Sequence, residues 1–241
     1  MRKILFLCLS LALCLRASAQ FSGSGSGTQS DPYLIFNPVQ LNQIQNFCGQ
    51  EGVYFKLMSD IDVAAFLTEE NPTQGWMPIG TEAQPFQGVF DGNNHTVSGL
   101  FINRTSNYTG FFGSANGATV KDLTLDFTSV AGGSKTGALA GLFKGGNATN
   151  CQVTLSQTLS GTGHVGGFIG HLWSSTVTSC SIQAAALSAT GENAGGFAGT
   201  VVGGTITACS AELTEVAGGG LFVWWICRYC PVKRHPKPGF C

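Results

Sequence analysis

The chain repeats itself every 29 residues, and that period restricts its folds more than any single motif does. Cys151, Cys180 and Cys209 are 29 residues apart, and a step of 28 back from Cys151 reaches Leu123, an apolar residue in the same phase. A second series, Phe111, Leu139, Phe168 and Phe197, runs at intervals of 28, 29 and 29, each member twelve residues ahead of its partner in the first. Glycines flank every member of this second series, as in Gly110-Phe111-Phe112-Gly113 and Gly166-Gly167-Phe168-Ile169-Gly170. Two ladders in constant offset over four units describe a stack of similar units, each burying its apolar side against the next.

The units are built from strands. In the stretch from Thr176 to Ile182, β-branched residues are enriched between Gly-rich breaks, and no part of the repeats has helical apolar spacing long enough to compete. Short strands recurring at this period describe one coil of a β-solenoid, whose strands pair with the coils above and below at ~4.8 Å. Same-phase residues then stack, so both ladders are expected to point inward. The flanking glycines are expected to supply positive φ at the coil corners and close backbone approach. The ladder cysteines are expected as buried free thiols, because same-phase side chains on parallel neighbours point the same way, whereas a disulfide needs converging Cβ vectors.

Composition supports this reading. The 34 glycines lack the three-residue period of collagen, and 10% charged residues are too few for a coiled coil or a charge-rich disordered chain.

The two ends have other origins. Arg2 and Lys3 precede the apolar run Ile4 to Leu15, and Ala17-Ser18-Ala19 follows, so residues 1–19 are expected to be a signal peptide. A run of about twelve apolar residues falls short of the ~20 needed to cross a bilayer, so no transmembrane span is expected in the mature chain. Residues 20–30 are small and polar and are expected to form a flexible linker. Residues 31–103 do not repeat and are expected to cap the solenoid, with a short helix around Val39 to Phe47 and a strand from Tyr54 to Asp62. Asp91-Gly92 and Asn93-Asn94 supply turn chemistry between two apolar strands. Residues 104–220 hold the repeats.

Residues 221–241 break the pattern. Adding the period to Gly195–Val201, GGFAGTV, places the next copy at 224–230, where the chain has WWICRYC. The nucleotide string TGG TGG ATT TGC CGG TAC TGT C encodes the second, and displaced by one base it encodes the first. The tail is therefore expected to be a frameshifted fifth repeat, the slip falling between about Glu212 and Trp224. Its Trp225-Ile226-Cys227-Arg228-Tyr229-Cys230 imitates a thiol-oxidoreductase motif, but no βαβ pattern surrounds it. Cys227, Cys230, His235 and Cys241 have poor spacing for zinc. Setting aside residues 1–19 and 221–241 leaves five basic residues against all thirteen acids, a net charge of −8 where the whole chain has −1. Such a surface does not suit nucleic acid.

Few residues in the repeats carry chemistry. Asp60 and Asp62, two apart, suit calcium or paired carboxylates, or a structural role in bonding nearby backbone. Lys121, Asp122, Asp126, Lys135, Lys144, Glu192 and Glu212 fall in different phases, unlike the clustered acids of a glycosidase. His164 and His171 flank the third Gly-Phe motif without a histidine one period away, and two histidines alone do not make a metal site. Trp173 is either an aromatic platform for a sugar ring or a partly buried corner residue. Asn94, Asn103, Asn107 and Asn147 each begin an N-x-Thr sequon. No catalytic, cofactor-binding or metal residue is assigned, and no cofactor is expected.

The order DPYLI, YFKLMSDIDV, WMPIG and PFQGVFDGNNHTVSGLFIN, followed by G-G-F-x-G units, resembles bacterial surface proteins with GLUG motifs over roughly residues 28–220. The resemblance implies an all-β, right-handed parallel β-helix, here of about four coils with a helix-containing N-terminal cap. It also implies export to the cell surface. The family occurs in large adhesin-like proteins and beside the metallopeptidase domains of immunoglobulin A proteases, and its motif carries no catalytic set. The expected function is thus an exported, non-catalytic cell-surface module, structural or adhesive, presenting one β-helix face to a host or matrix glycan or protein. The alternatives are a fragment or accessory domain of a surface peptidase or polysaccharide-active enzyme, and a truncated pseudogene product. The chain is expected as a monomer or in end-to-end association through an uncapped coil. Sequencing the gene tests the tail: the displaced frame should encode GGFAGTV or a close variant at codons 224–230, and any unrelated peptide there rules out the frameshift.

Overall fold

A computed structural model describes residues 21–191 and 193–218. The expected signal peptide, the tail with its Cys227 and Cys230, and Glu192 lie outside the described residues. The chain forms a parallel β-solenoid of about four turns behind an N-terminal cap. The cap consists of β1 (Tyr33–Ile35), α1 (Pro38–Asn42) running into a 3-10 turn (Gln43–Phe47), β2 (Glu51–Leu57), β3 (Ile61–Asp62) and α2 (Ala64–Glu70). Asn37 caps α1 by accepting from the Gln40 amide, and Pro38 opens it, a position where a missing N–H costs nothing.

The long strand β4 (Gln87–Asn103) is followed by β5 (Phe112–Asn116) and β6 (Thr119–Ala131). Two coils of four strands come next: β7 (Ser134–Thr136), β8 (Ala140–Lys144), β9 (Asn147–Thr149) and β10 (Gln152–Gly161), then β11 (Gly163–Gly166), β12 (Ile169–Trp173), β13 (Thr176–Thr178) and β14 (Ser181–Ala189). The last described coil holds β15 (Ala194–Gly195), β16 (Ala198–Val202), β17 (Thr205–Thr207) and β18 (Ser210–Gly218). The strands stack into three parallel sheets. The largest has the path β1-β2-β4-β6-β10-β14-β18, another the path β16-β12-β8-β5, and the smallest the path β15-β11-β7. Pairings such as Val153 with Ile182 and Ile182 with Ala211 keep the 29-residue register.

Both ladders point inward as expected. Phe111, Leu139 and Phe168 are fully buried and Phe197 nearly so, with the Phe168 and Phe197 rings stacked at 4.7 Å. The cap extends this column: Trp76 stacks on Phe111 at 5.3 Å and donates its indole N–H to the Phe111 carbonyl. Leu123, Cys151 and Cys180 are buried, and Cys209 is partly so. All four cysteines among the described residues are free.

Four expectations need correction. Residues 21–30 are not a free linker, because Phe21 is buried in an aromatic cluster with Tyr33, Phe47 and Phe55. The Tyr54 amide also donates to the Gly27 carbonyl, so this segment forms the outer layer of the cap. The strand expected from Tyr54 to Asp62 breaks after Leu57, and Thr176 to Ile182 breaks at Ser179, where φ is 54°. Asp91 to Asn94 do not turn a hairpin: β4 pairs in parallel with β2 and β6, and Asn93 and Asn94, at φ 51° and 63°, make a solenoid corner within it.

The fourth correction concerns the glycines. The corner ahead of the cysteine ladder uses Asp122, Asn150, Ser179 and Ala208 at φ of 51–54°. Glycine serves the left-handed corner chiefly at Gly117, Gly145 and Gly203. The glycines beside the phenylalanine ladder have no positive φ, but they do serve close approach, as expected. A Cβ on Gly170 would lie 2.6 Å from the backbone of Lys135 and Thr136, and one on Gly199 would lie 2.6 Å from His164 backbone. Gly141 and Gly113 make equivalent contacts with neighbouring backbone. The two smaller sheets therefore meet backbone to backbone at these glycines, along a narrow seam.

This seam predicts unequal costs for alanine. Gly170→Ala must displace backbone and should cost about 2–3 kcal/mol, as overpacking does. Gly117→Ala meets open space and only its φ of 69° opposes it, for about 1 kcal/mol. Urea unfolding of the two variants decides: equal midpoints rule out the seam as a packing constraint.

Candidate functional site

The seam brings two outward-facing columns together. Along the smallest sheet, Lys135 of β7, His164 of β11 and Asn193, just before β15, take equivalent half-buried outward positions, preceded one coil earlier by Tyr108, all at positive φ. In the adjacent sheet, alternation sends Ala115, Phe143 and Leu172 into the core. It turns Ser114, Leu142, His171 and Thr200 outward in one column, and Asn116, Lys144, Trp173 and Val202 in the next.

Across one coil these columns bring three rings into a row. His164 stacks on His171 at 5.6 Å, and His171 on Trp173 at 5.9 Å with 12° between their planes. Trp173 ends β12 just before the corner at Ser174 and is 44% exposed, so it is a partly buried residue at a corner that also leaves aromatic surface open. The His164 Nδ1 lies 2.7 Å from the Thr200 hydroxyl and accepts from the Asn193 side-chain amide at 3.1 Å, which puts the proton of the neutral ring on Nε2. Both ring nitrogens of His171 are enclosed without a hydrogen-bond partner. Burial holds its pKa below the ordinary 6.5, and the charges of Lys135 and His164 add to the effect.

One coil earlier, the same face carries two cations. The Lys135 ammonium sits 4.5 Å from the Tyr108 ring centre and donates to its hydroxyl, and the Lys144 ammonium sits 5.2 Å from the Trp173 ring centre. Neither has a carboxylate within ion-pair distance among the described residues. Both lysines line a depression of about 130 Å³ together with Trp173, Asn116, Glu82, Pro85 and the largely buried Leu142 and Ser114. That volume lies below the ~300–1,000 Å³ of pockets that enclose a whole small molecule, so it suits one unit of a longer ligand.

The other residues singled out from sequence have structural partners. Asp60 lies in the turn before β3, outside any strand, and its Oδ1 accepts from the Thr96 amide at 2.9 Å and contacts His95 Nδ1 at 3.1 Å. Those bonds, the Thr96 amide first, lower its pKa. Asp62 accepts from the Ala64 amide at the start of α2. The two carboxylates therefore do separate work and do not form a pair. Lys121 bridges Asp91 at 2.8 Å and Asp122 at 3.6 Å, and Asp126 accepts from the Thr154 hydroxyl. In the cysteine ladder the Cys151 and Cys180 amides each donate to the next coil's sulfur at 3.4 Å. Cys180 is pushed up to about 12, first by its hydrogen bond with Cys151, so the thiol stays protonated. Sequence reasoning placed Lys135 and Lys144 among charges scattered in different phases, although each lies one period before a residue weighed for a site, His164 and Trp173.

The buried nitrogens of His171 make acid stability a test. The unfolded ring, near 6.5, binds more protons than the folded one, so this residue's contribution is whole above that pH and declines as pH falls below it. His171→Leu, which copies Leu142 of the preceding coil, should flatten the melting temperature between pH 7 and 5. It should also stabilise the protein by about 1 kcal/mol at pH 7 through removal of unpaired nitrogens. A variant with the same acid slope as the parent contradicts this assignment.

No family model matches the chain. It is 42% identical over 135 residues to a protein of Evansella cellulosilytica named, provisionally, a Gly-rich membrane protein, over 54% of this chain and 15% of that one. It is 35% identical over 150 residues to Halomucin of Haloquadratum walsbyi, over 60% of this chain and 2% of that protein. The chain thus spans a small fraction of the relatives it matches. A crystal structure from Bacteroides ovatus, named provisionally as an immunoglobulin A1 protease, superposes with a TM-score of 0.61 at 21% identity, covering 80% of this chain and 69% of that one. At that identity the likeness is one of fold. No helix among the described residues is long and apolar enough to cross a membrane.

Proposed function

We propose that the chain is an exported, non-catalytic module of a cell-surface protein, and that its solenoid presents the Lys135–Trp173 face to a host or matrix glycan or protein. One observation carries this reading: an exposed tryptophan and two cations without acidic partners converge on a single face of the solenoid. Elsewhere the charged groups Asp60, Asp62, Lys121 and Asp126 are tied to backbone or to one another. The name of the Evansella relative supports a membrane-associated setting, and the GLUG-type motif order supports surface display. A second reading, an accessory solenoid beside a catalytic domain of a longer protein, draws on the name of the solved neighbour.

Beads carrying the full chain should bind a mucin-coated or polysaccharide-coated surface and leave the coating chemically intact. Release of reducing sugar ends or of cleaved peptide over a prolonged incubation would show catalysis and overturn the non-catalytic reading.

A further inference from the structure

We infer that the depression beside Trp173 binds an anionic sugar residue within a sparsely charged glycan. This inference rests on the glycan-binding reading of the same face. The chemistry of the lining is divided. Lys135 and Lys144 both line the depression with Leu142, and neither ammonium has a carboxylate within ion-pair distance among the described residues, so a carboxylate or sulfate group seated there enters a positive field. Lys135 is already positioned by the Tyr108 ring and hydroxyl, and Lys144 by the Trp173 ring, so little side-chain freedom is lost when the anion arrives.

The remaining walls suit a pyranose. Trp173 offers an exposed aromatic surface matched to the C–H face of a sugar ring, and the largely buried Leu142 adds an aliphatic floor. Asn116 offers an amide for ring hydroxyls. Glu82, also in the lining, accepts from sugar hydroxyls and repels an anion, so it favours the acidic group near the lysines. The overall charge of −8 outside the two end segments limits the ligand further. A dense polyanion is repelled by the rest of the surface, whereas a single acidic unit between neutral sugars meets only the cationic spot.

Matched ligand pairs test the inference with the full chain: sialyllactose against lactose, glucuronoxylan against neutral xylan, and 6-sulfated against unsulfated N-acetyllactosamine. Titration should show each bound acidic member about tenfold tighter than its neutral partner. The first two pairs report carboxylate and the third sulfate. Trp173→Ala and Lys144→Ala should each weaken acidic binding about tenfold. Lys144→Arg should retain it, and Lys56→Ala, outside this face, should not change it. Because Trp173 and Lys144 are exposed, melting temperatures should stay close to that of the parent, which separates lost binding from lost folding. Binding that ignores sugar charge, or that survives both alanine variants, overturns the inference and leaves surface adhesion standing. Failure to bind any acidic member also overturns it, while the coated-surface assay judges adhesion separately.

Discussion

Every feature of the molecule depends on one constraint: each coil must lay its backbone on the previous coil in parallel, in a register of 28 or 29 residues. The hydrogen bonds between neighbouring coils fix the spacing along the stack, and that spacing decides what the interior can hold. On one side of the cross-section it is filled by stacked side chains, with Trp76 continuing the column from Phe111 into the cap. On the other, Gly141, Gly170 and Gly199 let the backbones of two sheets touch. The cap follows from the same requirement. The first coil needs a closed end, and the aromatic cluster around Phe55, completed by Phe21 from the segment ahead of β1, provides it.

The seam also makes the exposed face. Were side chains present between β11 and β12, His164 and His171 would be held too far apart for their rings to meet at 5.6 Å. Once backbone touches backbone, the outward columns on either side become neighbours, and residues distant in sequence share one depression. Glu82 belongs to the cap, Ser114 to the first coil, Lys135 and Lys144 to the second and Trp173 to the third. The face is thus a product of stacking, and no single repeat contains it.

The fold was legible in the sequence because identical residues recur in phase: Cys151 with Cys180, and Phe168 with Phe197, declare both the period and the buried side. What was less legible falls where chemistry changes within a column. Lys135 and His164 occupy equivalent positions, as do Lys144 and Trp173, but a search for matching residues sees no ladder there. The loss of identity along an outward column is what lets a solenoid build a site from similar units. Local rules judged the glycines half correctly: the close backbone approach was expected, but which residues take the left-handed corners was not legible. Asn150 and Ser179 hold left-handed corners that glycine was expected to hold. Likewise, the small, polar residues 21–30 look like a linker until Phe21 finds its aromatic partners.

The direction of the inter-coil hydrogen bonds has a mechanical consequence. In a stack of this kind they run along the solenoid axis, so a pull along that axis loads successive rungs in series and opens them one at a time. A force across the axis is shared by many strands at once. The depression beside Trp173 draws its walls from three consecutive coils, those of β5, β8 and β12. A ligand seated there spans the rungs that would otherwise peel apart, and so reinforces the stack in its weak direction while it is held.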